Sequence, residues 1–145
     1  MKPPYFRNID LDIESKSSLR LLARELGERV TVMFSGRMKG RHCLFVEIGG
    51  AYKSLDAVIH AFCELIEGLS PEGQRVWDSA QRKEFDLGFD AQFASHRANR
   101  FKIRLSTLQR VAKVGAGLAV TLYRDERAEP DSRKMIESSR GHDSA

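Results

Sequence analysis

The chain has 145 residues, of which 41% are hydrophobic and 30% charged, and 24 basic against 20 acidic residues give a formal net charge of +4. This length suits one domain, and this composition excludes disordered and fibrous proteins. The apolar runs are too short for a membrane-spanning helix, and two cysteines are too few for a disulfide framework. No secretory signal is recognisable near the first residue, so we expect a protein of the reducing cytoplasm.

The first half of the chain predicts a strand, a helix and a hairpin. Apolar and acidic residues alternate over 9–14, as in a strand with one acidic face. Residues 17–27 combine a serine cap, an apolar stripe at helical spacing and a closing glycine. Two further strands, at 30–34 and 42–48, are joined by the glycine-containing loop 35–41.

The middle of the chain predicts two helices and a fourth strand. An apolar stripe over residues 54–69 predicts a helix of four turns, and Ser70 and Pro71 begin a shorter helix with a cap and a proline at its first position. Clear alternation over 84–93 predicts the strand, in which Gly88 indicates a bulge or the close approach of another backbone.

The last elements are predicted as strand, helix and strand. Alternation over 101–105 predicts a fifth strand, residues 106–117 a helix capped by Ser106 and Thr107, and residues 118–123 a sixth strand. The order is then βαββααββαβ, with a similar strand–helix–strand segment in each half. We predict an α+β fold in which a mixed sheet of about six strands carries helices mainly on one face, with a ferredoxin-like first half.

The domain boundary is expected after residue 124. Residues 1–124 are predicted to form a single α+β domain. Residues 125–145 hold six acidic and four basic residues but only two large apolar ones, Met135 and Ile136. Such a segment buries too little apolar surface to offset the entropy of ordering, so we predict a disordered polar tail.

The histidines and cysteines do not predict a metal or nucleophile site. His60, Cys63 and Glu64 have helical spacing, but no second ligand pair of the HExxH kind accompanies them. His60 and Glu64 lie opposite the apolar stripe, which is typical of a solvated pair. His42 and Cys43 are adjacent in a strand and therefore face opposite sides of the sheet. We expect neither a metal nor a cofactor.

Carboxylates are better placed to share one surface. If the helices cover one face of the sheet, alternation places several acidic residues on the other face, together with Tyr123. Paired carboxylates can perform acid–base catalysis where burial raises one pKa, and otherwise they form a solvated charged face. Asp90 is expected to lie across from Arg104 as a cross-strand pair. The acidic residues are Asp10, Asp12, Glu14, Asp86 and Asp90.

Basic residues concentrate in the first predicted hairpin. Arg37, Lys39 and Arg41 lie between and beside two glycines, next to His42, and Arg97 and Arg100 in a later loop extend the charge. Such a tip can bind phosphates or an acidic partner. Binding of single-stranded nucleic acid usually also needs aromatic side chains, and this tip has none.

Several of these segments together resemble a known group of proteins. They are Leu11–Ser15, Phe34–Arg37, Trp77–Asp78 with Arg82, Phe85–Phe89, and Ser106–Gly115 leading to Val120–Tyr123. The whole resembles small bacterial α+β proteins grouped as domains of unknown function, and some similar proteins stand beside toxins as immunity proteins. The resemblance covers residues 5–124. It implies binding rather than catalysis and supplies no catalytic residues.

We therefore expect a cytoplasmic protein-binding module, of the kind that inhibits a bacterial toxin. The alternatives are a nucleic-acid-binding protein that uses the basic hairpin, and a small enzyme with a carboxylate site at Asp86 and Asp90. The partner's identity and the oligomeric state stay open. The residues expected to contact a partner are Arg37, Lys39, Arg41, His42, Asp86, Asp90, Arg104 and Tyr123.

Overall fold

The structure is a computed structural model that describes residues 6–50, 54–91 and 100–124. These residues form one mixed sheet of five strands and four α-helices, an α+β arrangement. The strands are β1 (Phe6–Ser15), β2 (Val30–Met38), β3 (Arg41–Ile48), β4 (Arg82–Ala91) and β5 (Gly117–Arg124). The helices are α1 (Arg20–Leu26), α2 (Leu55–Glu67), α3 (Pro71–Ser79) and α4 (Leu105–Val114). The tail predicted for 125–145 lies outside the described residues.

The sheet has the strand order β2-β3-β1-β4-β5. The central strand β1 is antiparallel to both of its neighbours, β3 and β4, and β2 is antiparallel to β3. At the other edge β5 runs parallel to β4, so the connection between them crosses over through α4. One expected strand–helix–parallel-strand unit is β1-α1-β2, although β3 lies between its strands. The second was expected to begin with residues 101–105, but β4 supplies its first strand instead, giving β4-α4-β5.

The apolar core lies on the helix side of the sheet. Alternation in β1 and β4 buries every second side chain there, including Leu11, Ile13 and Phe85. Phe62 of α2 packs on Phe85 with ring centroids 5.6 Å apart. Trp77 of α3 is also fully buried, and its indole N–H donates to the carbonyl of Val114 at 2.7 Å, as expected for a buried indole.

The predicted helix caps are only partly confirmed. Ser17 or Ser18 does not cap α1 and Ser106 or Thr107 does not cap α4, because the N-cap residues are Leu19 and Arg104, and neither makes a side-chain cap hydrogen bond. The Ser54 and Ser70 hydroxyls accept from backbone N–H groups at the start of α2 and α3. The hairpin turn is much tighter than predicted, since only Lys39 and Gly40 connect β2 to β3, with φ of 54° and 78°. Two residues with positive φ are typical of the tight turn whose twist matches the flanking strands. No helix in the described part of the chain is long and apolar enough to cross a membrane.

Residues 101–105 do not form the predicted fifth strand, so the sheet formed by the described residues has five strands and the prediction of about six was wrong. Residues 101–104 are irregular, and Leu105, predicted as its last residue, is the first residue of α4. The ring of Phe101 packs on that of Phe89, 4.3 Å between centroids, instead of lying in the sheet. The backbone N–H of Arg104 donates to the Asp56 carboxylate at 2.9 Å, which ties this segment to α2.

Candidate functional site

The side of the sheet away from the helices carries the carboxylates that sequence alternation predicts on one surface. Strand register places side chains of β1, β3 and β4 in adjacent rows on this surface, which we call the acidic face. In β1 and β4 this position follows from alternation, because each acidic residue there neighbours a buried apolar one in sequence. The carboxylates of the acidic face are Asp10, Asp12, Glu14, Glu47, Glu84, Asp86 and Asp90.

Like charges lie directly opposite one another at the centre of the acidic face. Asp10 of β1 is paired with Glu47 of β3 on one side and with Asp86 of β4 on the other. Asp12 is paired with Glu84. Directly opposed like charges in a sheet are destabilising, so this arrangement lowers the stability of the isolated fold.

This crowding contributes to raised pKa values at Asp10 and Asp12. Burial, followed by the hydrogen bond and negative charge of Glu47, raises the pKa of Asp10 to about 7. Burial and the charge of Asp86 raise the pKa of Asp12 to about 6, although nearby Arg82 acts in the opposite direction. Because the pKa of Asp10 lies near neutral pH, a cationic partner beside it would favour release of its proton.

Polar side chains donate hydrogen bonds to other carboxylates of the acidic face. Arg82 binds Glu14 and also donates to Glu84 at 3.1 Å. The Asn8 amide donates to Glu47, and the Thr121 hydroxyl donates to Asp86 at 2.6 Å. Arg82 lies opposite Glu14, near the end of β1. The strand neighbours of the central carboxylates Asp10 and Asp86 therefore include no cation.

One predicted contact on this surface is wrong. Arg104 does not lie across from Asp90, because residue 104 is in the irregular segment before α4. Arg7 takes that place, with its Nε 3.4 Å from the Asp90 carboxylate and its guanidinium 4.7 Å from the centre of the Tyr123 ring. Alternation could not single out Arg7, since the ladder is irregular between Phe6 and Asn8.

An aromatic pair borders the acidic face. A register shift in β2 between Val32 and Phe34 brings Phe34 opposite Phe45. Their ring centroids are 5.6 Å apart, and Phe45 is also the cross-strand neighbour of Asp12. The bulge therefore places apolar rings beside the carboxylates, which is a combination suited to arginine and lysine side chains.

The basic hairpin forms a separate site at the other end of β3. Arg37 and His42 are directly opposite in the β2–β3 ladder, and Arg20 from the start of α1 joins them. They line a cavity of about 550 Å³, and none of the described residues around it is a carboxylate. Sequence reasoning missed Arg20, because only the tertiary fold brings the β1–α1 connection beside the hairpin. The remaining lining residues are Ser18, Leu19, Ser35, Gly36 and Cys43.

The other predicted basic residues stay outside this cavity. Lys39 occupies the turn and Arg41 begins β3, while the Arg37 guanidinium lies 3.5 Å from the Gly40 carbonyl. Arg97 falls outside the described residues, and Arg100 is exposed before α4. The structure thus divides the expected contact residues between the acidic face and the hairpin, and places Arg104 in neither.

His60 is not the solvated partner of Glu64 that its sequence position predicts. It lies between α2 and α4, where Thr107 Oγ1 is 3.0 Å from Nε2 and Arg110 Nη1 is 2.8 Å from Nδ1. Thr107 also donates to Asp56 at 2.6 Å. Despite burial, which raises it, the hydrogen bonds from Thr107 and Arg104 lower the pKa of Asp56.

This network joins helices and is not arranged for nucleophilic catalysis. The single hydroxyl proton of Thr107 goes to Asp56, so Thr107 accepts from His60 Nε2–H and His60 Nδ1 accepts from Arg110. The imidazole therefore cannot take the Thr107 proton, as a general base must. Thr107 is also fully buried, out of reach of a substrate.

Among residues 6–50, 54–91 and 100–124, no three histidine, cysteine or acidic side chains are arranged to hold a metal ion. No family model, no curated protein and no solved structure matches this chain.

Proposed function

We propose that this chain is a non-enzymatic protein-binding module of the cytoplasm, of the immunity type that inhibits a bacterial toxin, and that its acidic face binds a basic surface of the partner. The observation that carries this proposal is the row of opposed carboxylates formed by Glu47, Asp10 and Asp86. A sequence selected for stability alone would avoid that row, whereas binding sites commonly break such local rules.

Electrostatics favour a cationic partner over other classes. The pKa values of Asp10 and Asp12 are raised by burial and, after it, by repulsion from neighbouring carboxylates, and lysine or arginine side chains placed against them would relieve that repulsion. Phe34 and Phe45 supply the apolar contacts that anchor such an interface. Binding should therefore release a proton from Asp10 near neutral pH.

The topology supports our related inference that the first half of the fold is ferredoxin-like. The order β2-β3-β1-β4, with β1 antiparallel to both neighbours, agrees with that arrangement. Helices on one side leave the other side of such a sheet open for a partner. Fold alone does not assign a function, so the proposal depends on the acidic face.

The test is affinity capture from nuclease-treated native lysate. Tagged wild type is compared with a variant carrying Asp10→Asn, Asp12→Asn and Asp86→Asn, and captured proteins are quantified by mass spectrometry. We expect wild type to retain one basic protein in stoichiometric amount and the triple variant to lose it. Retention by both would show that the acidic face is not the binding surface.

A matched control changes the other charged site. The variant Arg37→Ala, Lys39→Ala and Arg41→Ala should keep the captured protein, because these residues lie outside the acidic face. The captured protein, once purified, should lose its toxic activity in the presence of wild type only. Capture without inhibition would contradict the immunity role while supporting the binding role.

The cavity at the hairpin favours one second candidate, a nucleic-acid-binding protein. Arg20, Arg37 and His42 surround a space that suits a phosphate group. Affinity for an RNA or DNA oligonucleotide should then fall steeply with salt and be lost with Arg37→Glu and Arg41→Glu. Unchanged affinity in that variant would show that the hairpin is not a nucleic-acid-binding site.

A further inference from the structure

The strand β5 forms an edge of the sheet that lacks the protection found at the other edge. Native proteins guard edge strands with bulges, charged side chains or prolines. At the opposite edge, β2 has a register shift at Met33 and carries Arg37. Residues Gly117–Tyr123 of β5 include no charged residue and no proline, pair with β4 in unbroken register, and meet no other strand among the described residues.

Exposed apolar side chains continue from β5 onto α4. Leu118, Val120 and Leu122 share the helix side of the sheet with the buried residues of β4, yet Val120 is 64% and Leu122 66% exposed. Leu105 and Leu108 are exposed as well, on the flank of α4 that helical spacing turns away from α2. Such a patch on a single chain is typical of an interaction surface.

We propose that a second copy of this chain covers this edge, so that two β5 strands pair antiparallel about a two-fold axis at Val120 and form one continuous ten-stranded sheet. The segment Leu118–Leu122, Leu-Ala-Val-Thr-Leu, has nearly the same side-chain sizes in both directions. Leu118 then lies opposite Leu122 of the second copy, and Val120 opposite itself. On the other side of the sheet, Gly117 makes room for Tyr123.

The absence of charge on Gly117–Tyr123 favours pairing with a second copy of this strand over pairing with a charged strand of another protein. No like charges become opposed anywhere between Gly117 and Tyr123, because that stretch is neutral, and Arg124 lies opposite Ala116. The two-fold axis is perpendicular to the sheet, so both acidic faces lie on the same side. The facing β4 strands are then about 14 Å apart, beyond the screening length of about 8 Å at physiological salt, and repel little.

The area is also adequate. At the exposures observed, the apolar side chains of β5 and α4, with Phe101, offer on the order of 400 Å² per copy. The two copies thus bury about 800 Å² of apolar surface, and the paired strand backbones and polar residues of α4 bring the total toward the roughly 1,000 Å² that a specific interface needs. The symmetric arrangement uses the same surface on both copies and closes at two.

The test is a symmetric cross-link in the full chain. Paired residues in antiparallel strands have Cα atoms about 4.5–5.5 Å apart, which fits a disulfide. We expect Val120→Cys to form a covalent dimer under mild oxidation, whereas Met33→Cys, also more than half exposed but on the opposite edge, does not. Cys43 and Cys63 are buried and should not contribute. Failure of Val120→Cys to cross-link, or equal cross-linking at Met33, would overturn the proposal.

Sedimentation provides a second measurement that needs no covalent bond. Wild type should sediment as a dimer over about a hundredfold range of concentration, and Val120→Lys as a monomer with unchanged circular dichroism. A monomeric wild type would overturn the proposal. If the chain dimerises only after removal of residues 125–145, that segment, and not a second copy, covers the β5 edge in the full chain. This result does not depend on the acidic face, so the triple Asn variant should still dimerise.

Discussion

At the scale of single residues, Asp10 is the carboxyl whose pKa is raised furthest among the described residues. Its pKa is raised from 3.8 to about 7 because it is partly buried and faces Glu47 on β3, Asp86 on β4 and Asp12 on its own strand. Between those two pH values the folded state binds a proton that the unfolded chain does not. Stability from this site is therefore greatest below about pH 4 and falls as the pH rises to about 7.

The change Asp10→Asn should remove this dependence. At pH 8 we expect the variant to be more stable than wild type by about 1 kcal/mol, since partial exposure reduces the full effect of the pKa shift. Urea denaturation of both proteins from pH 4 to pH 8 measures the difference. A variant less stable than wild type at pH 8 would show that the Asp10 carboxylate is stabilised rather than strained by its neighbours.

Sequence alternation could place the acidic residues on one face but could not reveal their pairing. Asp10 and Asp86 are 76 positions apart in the chain, and their contact follows from the register of β1 with β4. Alternation does not assign Glu47 to a face, because both sides of its strand are partly apolar in sequence. Gly88 was expected to mark a bulge or a closely approaching backbone. It lies opposite the irregularity in β1, and the space beside it is occupied by side chains, since a Cβ there would lie 2.8 Å from Asn8 Oδ1 and 3.0 Å from the Tyr123 ring.

At the scale of secondary structure elements, a polar contact between α2 and α4 depends on Thr107. Its buried hydroxyl joins Asp56 to His60, and Arg110 extends the network to Glu67 at 2.8 Å. We expect Thr107→Val to lower the free energy of unfolding by about 1–3 kcal/mol, because Val keeps the shape but leaves buried polar groups unpaired. Urea denaturation measures this loss.

The matched variant Thr107→Ser retains the hydroxyl and removes one methyl group. It should lose only about 0.8 kcal/mol, the contribution of a buried carbon. Equal losses in the two variants would mean that packing, and not hydrogen bonding, explains the contribution of Thr107. The pKa of Asp56 should also rise in Thr107→Val, since the hydroxyl that lowers it is gone.

Element boundaries near α4 show where local sequence patterns fail. Residues 101–105 alternate like a strand, but a strand forms only where a neighbouring strand can pair with it. The edge beside β4 is taken by β5, which is longer and runs parallel to β4. The segment is held instead by Phe101 on Phe89 and by the Arg104 N–H on Asp56, both of them contacts with distant residues.

At the scale of the whole molecule, the net charge of +4 conceals a separation of charge. Carboxylates dominate the acidic face, while Arg20, Arg37 and Lys39 lie at or near the hairpin. Such a separation orients a charged partner before contact and concentrates self-repulsion at one surface. The energetic consequence of that repulsion can be measured without knowing the partner.

The change Asp12→Asn should raise the free energy of unfolding at pH 8 and low salt, because it removes one charge from the row that contains Asp86 and Glu84. The gain, about 1 kcal/mol for this half-buried group, should shrink in 1 M NaCl, where the screening length falls to about 3 Å. Urea titrations at both salt concentrations measure it. Asp78→Asn on α3, whose side-chain oxygen can still accept from Gln74, should change stability little in either condition. If the gain is equally large in high salt, the charged form of Asp12 is unfavourable because the residue is buried. Repulsion across the acidic face would then contribute little to the destabilisation.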